Sequence, residues 1–305
     1  MDKVVVILGP TAVGKTRISI KLAKKIKGEI ISADSMQVYK MMDIGTAKPS
    51  LDEMEGIKHH LIDIIYPDKQ FSVVAYQKRA YESIEKVTSK NKIPIIVGGT
   101  GLYLNSIIYN VKFSEASENI ELRDKLLKEV KNKGNEFIHK ELEKVDPTAA
   151  QRIHTNDVKR IIRAFEIYEY NRTSKTKNQE QQKKSPAKYD FIIIGLTMGR
   201  EIIYKRINER VDIMFERGLV KEVKNLIKRG YGMHNTSMQA LGYKEVALYL
   251  KGLLTFDEVR ELVKKRTRQF AKRQMTWFKR IENIQWLDIN KLSDDEVMEK
   301  ILINI

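Results

Sequence analysis

Gly9, Gly14, Lys15 and Thr16 fall in the pattern Gly-x4-Gly-Lys-Ser/Thr, directly after an apolar run over residues 3–8 and before a helix that begins near Arg17. Strand, glycine loop and helix in this order form the context of a phosphate-binding loop, in which backbone amides and a helix amino terminus converge on an anion. The preceding strand must then be a buried one. Three more short, β-branched runs, at 29–33, 93–97 and 191–196, are bounded by turn signals and separated by helical stretches. The alternation predicts an α/β fold, a P-loop core with a helix-covered, mainly parallel sheet, whose ligands bind beyond the carboxyl ends of the strands.

Two other strand ends carry chemistry. Asp34 follows Ile30-Ile31-Ser32-Ala33, and a carboxylate there can bind metal, orient a nucleophile or accept its proton. Capping of a following helix is the competing role. Gly98-Gly99-Thr100-Gly101 ends the run at 93–97 with glycines that permit close backbone approach and with one hydroxyl. Further on, Arg206, Arg210 and Arg217 recur at helical spacing near one face, as candidates for a shared anion.

The rhythm of strands breaks between 114 and 172, where Leu122, Leu126, Val130, Ile161 and Phe165 are spaced as in helices. A domain division follows: the first part of the core at 1–113, an all-helical insertion at 114–188 that ends in a flexible polar loop at 173–188, and the second part at 189–305 with basic carboxyl-terminal helices. The last long helix combines Lys264, Lys265, Arg266, Arg268, Lys272, Arg273, Lys279 and Arg280 with Phe270, Met275, Trp277 and Phe278. Such aromatics pack into a core more often than they stack on bases.

Lysine and arginine total 56 against 40 aspartate and glutamate, a formal +16 in 305 residues, which favours a polyanionic partner. There is no cysteine, which excludes thiol chemistry, disulfides and thiolate metal sites and agrees with a reducing cytoplasm. The amino-terminal apolar run is too short for a signal peptide or a span. A cytoplasmic protein with no membrane partner is expected, and nothing in the pattern calls for more than a monomer.

Several motifs together carry a resemblance. Gly9-Pro10-Thr11-Ala12-Val13-Gly14-Lys15-Thr16, Asp34-Ser35-Met36-Gln37-Val38-Tyr39-Lys40 leading to Gly45-Thr46-Ala47-Lys48-Pro49, and His59-His60-Leu61-Ile62-Asp63 come first. Gly98-Gly99-Thr100-Gly101-Leu102-Tyr103, Arg152-Ile153-His154 with Asn156-Asp157, Leu241-Gly242-Tyr243 and Lys272-Arg273-Gln274-Met275-Thr276-Trp277 extend it almost end to end. In content and order they resemble the tRNA dimethylallyltransferase (tRNA isopentenyltransferase) family.

The resemblance implies transfer of a dimethylallyl group from dimethylallyl diphosphate to the N6 amine of the adenosine beside the anticodon, position 37, with Mg²⁺ as cofactor. It implies that residues 9–16 and Arg210 hold the diphosphate, that the Thr16 hydroxyl helps hold the metal, and that Asp34, Thr100 and Arg210 are catalytic. It assigns tRNA contacts to Asp34, Ser35, Met36, Gln37, Thr100 and Arg123, and to Lys159, Arg160, Ile161, Ile162 and Arg163. Further contacts fall on Gln239, Ala240, Leu241, Gly242, Tyr243 and Lys244, and on Lys272, Arg273, Gln274, Met275, Thr276, Trp277, Phe278 and Lys279. The helical insertion would clasp the anticodon stem-loop. Val13 departs from the family's usual serine, which removes a side-chain hydrogen bond to phosphate and leaves the amide cradle. His59 and His60 are read as structural. A small-molecule or nucleoside kinase is the first rival, since a P-loop suits ATP equally well, and an RNA-binding module with a vestigial P-loop is the second.

Overall fold

The computed structural model describes residues 2–114, 116, 118–173 and 186–305. The polar stretch at 173–188, expected as a flexible loop, falls largely outside the described residues. Contacts divide the chain into two compact units, one of Met1–Asn110 with Pro186–Ile305 and one of Val111–Ser185.

The first unit is an α/β unit around a six-stranded sheet, parallel throughout, as the strand-and-helix alternation predicts. Its strands are β1 (Lys3–Leu8), β2 (Glu29–Ala33), β3 (His59–His60), β4 (Pro94–Gly98), β5 (Asp190–Thr197) and β6 (Gln285–Asp288), in the order β3-β2-β4-β1-β5-β6. Four of them match the apolar runs within a residue or two. The other two, β3 and β6, are edge strands of 2 and 4 residues, too short to leave a hydrophobic signature.

Alternation along β1 shows why both faces are covered. Val5 and Ile7 face one core with Ile18, Leu22 and Ala23 of the helix Lys15–Ile26. Val4, Val6 and Leu8 face the other, with Tyr76, Ile84, Leu104 and Ile107 of the helices Val73–Thr88 and Gly101–Ile108. All five of these strand side chains are 0% exposed, so burial on both sides holds the sheet. Truncating one of them, Ile7→Ala for instance, costs about 2–5 kcal/mol.

The second unit contains the helices Ile120–Lys133, Asn135–Val145, Pro147–Arg152 and Val158–Thr173, packed around Leu126, Ile138, Leu142, Ala150, Ile161 and Ile162. Among the described residues, no helix is long and apolar enough to cross a membrane.

Candidate active site

Register brings the site together. The last rungs at the centre of the sheet pair Ala33 with Gly98 and Gly98 with Leu8, so β2, β4 and β1 stop pairing along one line, while β5 runs on to pair Thr197 with Asp288 of β6. One residue beyond three of these ends stand Asp34, Gly99 and Gly9. They open on a cleft of about 430 Å³ lined by Thr11, Lys15, Thr16, Asp34, Gly99, Arg210 and Gln274, among others.

Gly14 has φ +97° and forms the amino cap of the helix Lys15–Ile26, a conformation that glycine adopts without strain. No side chain caps this helix, so its first amides remain available to an anion. Val13 is fully buried in the core, and its side chain faces away from any phosphate chemistry. The Lys15 ammonium donates to the carbonyls of Gly9 and Pro10 at 2.8 and 2.9 Å. Burial, and then the positive charge of Arg210, lower its pKa to about 7, with Asp34 opposing.

Arg210 lies on the helix Arg200–Glu216 and reaches the Thr11 hydroxyl at 3.5 Å. Burial lowers its pKa as well. Neither Lys15 nor Arg210 forms an ion pair among the described residues. Two desolvated cations with no carboxylate in direct contact, beside open helix amides, suit a diphosphate. The expectation of a shared anion for three arginines is corrected: Arg206 is exposed and does not line this cleft, and Arg217 lines a separate recess of about 340 Å³.

On the other side of the cleft, Asp34 Oδ1 accepts from the amides of Met36 and Gln37 at 2.8 and 3.3 Å. This fixes the carboxylate in a turn of its own and settles the capping alternative against a helix cap. Thr100, expected as a catalytic group, uses its hydroxyl to accept from the Ser35 amide at 3.0 Å, while its own amide donates to Ala33. It holds the Asp34 turn and is not among the residues lining the cleft.

Two residues that organise the cleft were not assigned this work by the sequence. Glu222 accepts from three consecutive amides, Asp43, Ile44 and Gly45, at 3.0, 2.8 and 3.2 Å, and from the Tyr243 hydroxyl at 2.6 Å. It thereby fixes the loop whose next residues, Thr46 and Ala47, line the cleft and accept from Gln37. Gln274, expected to touch RNA, is buried and hydrogen-bonded to Thr11 and Gly99. No local motif announces either role, because the partners are distant in sequence.

The remaining expected RNA contacts divide by exposure. Lys159, Arg160, Gln239, Lys272, Arg273, Thr276 and Lys279 are exposed, and Ser35, Met36, Leu241, Lys244, Met275 and Trp277 are half-buried. Ile161, Ile162, Ala240, Tyr243 and Phe278 are buried, so their side chains serve packing, and Gly242, also buried, has no side chain to offer; the contact expectation is withdrawn for them. Arg123 and Arg163 are engaged by the buried Glu166, at 2.7 and 2.9 Å. His59 and His60 form β3, and His60 bonds Glu29 at 2.7 Å. Burial works to raise the Glu29 carboxyl, but hydrogen bonds from Lys92 and His60 outweigh it and hold it at about 2. This cluster begins β2, at the opposite end of the strand from Asp34.

Among the described residues no group of three or more His, Cys, Asp or Glu gathers as a metal cage. The donor set still fits Mg²⁺, which keeps waters and takes substrate phosphate oxygens, needing only one or two protein oxygens. The exposed Thr16 and the Asp34 carboxylate line the same cleft.

Known proteins resemble this chain over most of its length. A family model described as IPP transferase matches residues 37–281. The tRNA dimethylallyltransferase of Acetivibrio thermocellus is 53% identical over 300 residues, covering 98% of this chain and 96% of that protein. The solved full-length tRNA isopentenylpyrophosphate transferase of Bacillus halodurans superposes with a TM-score of 0.75 at 42% identity, over 100% of this chain and 96% of the other. A eukaryotic dimethylallyltransferase solved acting on tRNA gives a TM-score of 0.81 at 33% identity, over 98% of this chain and 77% of that one. The chain belongs to the IPP transferase family.

Proposed function

We propose that this chain transfers the dimethylallyl group of dimethylallyl diphosphate to the N6 amine of adenosine 37 in tRNA, releasing diphosphate, and that it acts as a cytoplasmic monomer. The observation that supports this most directly is the placing of two desolvated cations that form no ion pair among the described residues, Lys15 and Arg210, with a fixed carboxylate, Asp34, around one cleft.

The amine nitrogen forms a bond to the allylic carbon as the carbon–oxygen bond to the diphosphate breaks, and the electron pair leaves with the diphosphate. Negative charge grows on the departing oxygens, where Lys15, Arg210 and the open amides of the loop stabilise it. The Asp34 carboxylate takes the amine proton through Oδ2, since Oδ1 is held by Met36 and Gln37. Thr100 keeps that turn in place through Ser35. Mg²⁺, bound by the Thr16 hydroxyl and the diphosphate oxygens, would supply further neutralisation of the leaving group.

The acceptor adenosine has to leave its stack to reach the cleft. Exposed Lys272, Arg273, Thr276 and Lys279 on the helix that borders the cleft, and Lys159 and Arg160 of the helical unit, are suited to phosphate contacts. The test is incubation of the purified protein with unmodified tRNA, Mg²⁺ and dimethylallyl diphosphate without ATP, followed by nucleoside mass analysis. Prenylated adenosine is expected. Absence of adduct with several tRNAs, together with ATP consumption on a small acceptor, would replace this reading by a kinase.

A further inference from the structure

The parallel ladder between β1 and β4 ends at the rung of Leu8 with Gly98, and beyond it the two chains part, one into the phosphate loop and the other into the turn that holds the Asp34 segment. The Gln274 side chain fills the gap that opens there. Its Oε1 accepts from the Thr11 amide at 2.9 Å and its Nε2 donates to the Gly99 carbonyl at 3.0 Å. A side-chain amide has thus taken the place of a peptide unit, making one bond of each kind to two diverging strand ends.

Its placement follows from the helix that carries it. Thr267, Ala271, Gln274 and Phe278 are the buried positions of the last turns of Phe256–Phe278, at spacings of four, three and four, and Gln274 is the amide in that seam. Gly99 has no side chain where the amide arrives, and a Cβ built there would overlap Gln274 Nε2. The Thr11 amide, bonded to Gln274, is turned from anion duty, while the Thr11 hydroxyl meets Arg210.

We propose that Gln274 is a positioning residue for transfer: it fixes the separation between the loop that holds the diphosphate and the turn that holds Asp34. It touches neither reacting atom. The inference rests on the prenyl-transfer reading of the same cleft. In-line displacement requires the allylic carbon and the amine to meet at a set distance, and an error of about 1 Å can cost about 100-fold in rate. Loss of Gln274 therefore appears in the chemical step and not in the affinity of either substrate alone.

Two variants test this in the full-length protein. Gln274→Met keeps the length and removes both hydrogen bonds; single-turnover transfer is expected to fall about 10- to 100-fold, with donor and tRNA dissociation constants within about threefold of wild type. Gln274→Glu keeps the acceptor for Thr11 and regains a donor for Gly99 only when the carboxyl is protonated. Its rate relative to wild type is expected to rise as pH falls. Lys15, Arg17, Asp34, Glu53, Glu55 and Arg210 line the same cleft and are unchanged in the variants, so the wild-type profile measured in parallel accounts for them.

A normal single-turnover rate in Gln274→Met overturns the proposal. So does a loss confined to donor affinity, or a Gln274→Glu profile parallel to wild type. Should Gln274→Met fail to fold, the Gln274→Glu profile decides alone. A wild-type protein that transfers nothing sinks the prenyl-transfer reading, and the inference with it. Wild-type activity with indifferent variants sinks the inference only.

Discussion

Basic side chains are plentiful both at the carboxyl edge of the sheet and in the helical unit, but they meet opposite fates. At the sheet edge, Lys15 rests on two backbone carbonyls and Arg210 on a hydroxyl, both desolvated and, among the described residues, without a direct ion pair, the carboxylates of Asp34 and Glu53 acting on them only at a distance. In the helical unit, Glu166 takes the Nε and Nη2 of Arg123 at 2.7 and 3.2 Å, the Nη1 of Arg163 at 2.9 Å and the amide of Asn119 at 3.0 Å. Charge left uncompensated is destabilising until an anion arrives, whereas charge closed on a buried carboxylate organises a fold. A basic residue's place in the sequence does not distinguish these cases. Its partners do.

The comparison is open to attack at four points. The largest effect is expected from Asp34→Asn, which leaves both cations in place and removes the proton acceptor. Single-turnover transfer should fall by about 10²–10⁴-fold with donor affinity retained, and wild-type turnover in a folded variant would end the catalytic assignment. Next, Arg123→Met should act on stability. Glu166 keeps Arg163 but loses two bonds, a cost of about 1–3 kcal/mol, visible as earlier thermal unfolding. A variant that melts like wild type yet binds tRNA more weakly would make Arg123 an RNA contact after all.

The third concerns pH. Burial and the charge of Arg210 lower the Lys15 pKa to about 7, and a bound diphosphate raises that value by favouring the charged form. Donor affinity should therefore be complete below pH 7 and decline as pH rises, by at most about tenfold per unit, with a proton taken up on binding at pH 8. Calorimetry in buffers of different protonation heat checks the uptake; an affinity flat from pH 6.5 to 8.5 would place a permanent charge on Lys15. The smallest effect is expected from Lys159→Ala with Arg160→Ala, exposed cations of the helical unit. The slope of log affinity for tRNA against log salt should shrink by about 1.4–1.8, with transfer at saturating tRNA unchanged. An unaltered slope would remove that surface from the RNA interface.

What was legible in the sequence follows from the same distinction. The phosphate loop, Asp34 and the Gly98–Gly99–Thr100 turn could be read because each follows a buried strand, and an apolar run with a small or polar residue at its end is a local signal. The strands β3 and β6 were missed because 2 and 4 residues carry no such signal. Glu222 and Gln274 were illegible for another reason. Glu222 binds amides 177–179 residues away, and Gln274 joins residues 263 and 175 positions distant. Glu222 stands in an ordinary amphipathic helix, and the resemblance grouped Gln274 with basic neighbours that face the solvent. Only the packed fold shows that one of these polar side chains points inward.

The strand order has a consequence for how the molecule comes into being. β1, which leads into the phosphate loop, lies between β4 and β5, so one of its edges waits for residues 190–197 before it can pair. A growing chain released from synthesis in order holds that edge open while the whole intervening helical unit is made. Closing so long a loop places the α/β unit among slow folders, with its functional edge assembled late and its central strand exposed to misassociation in the interval.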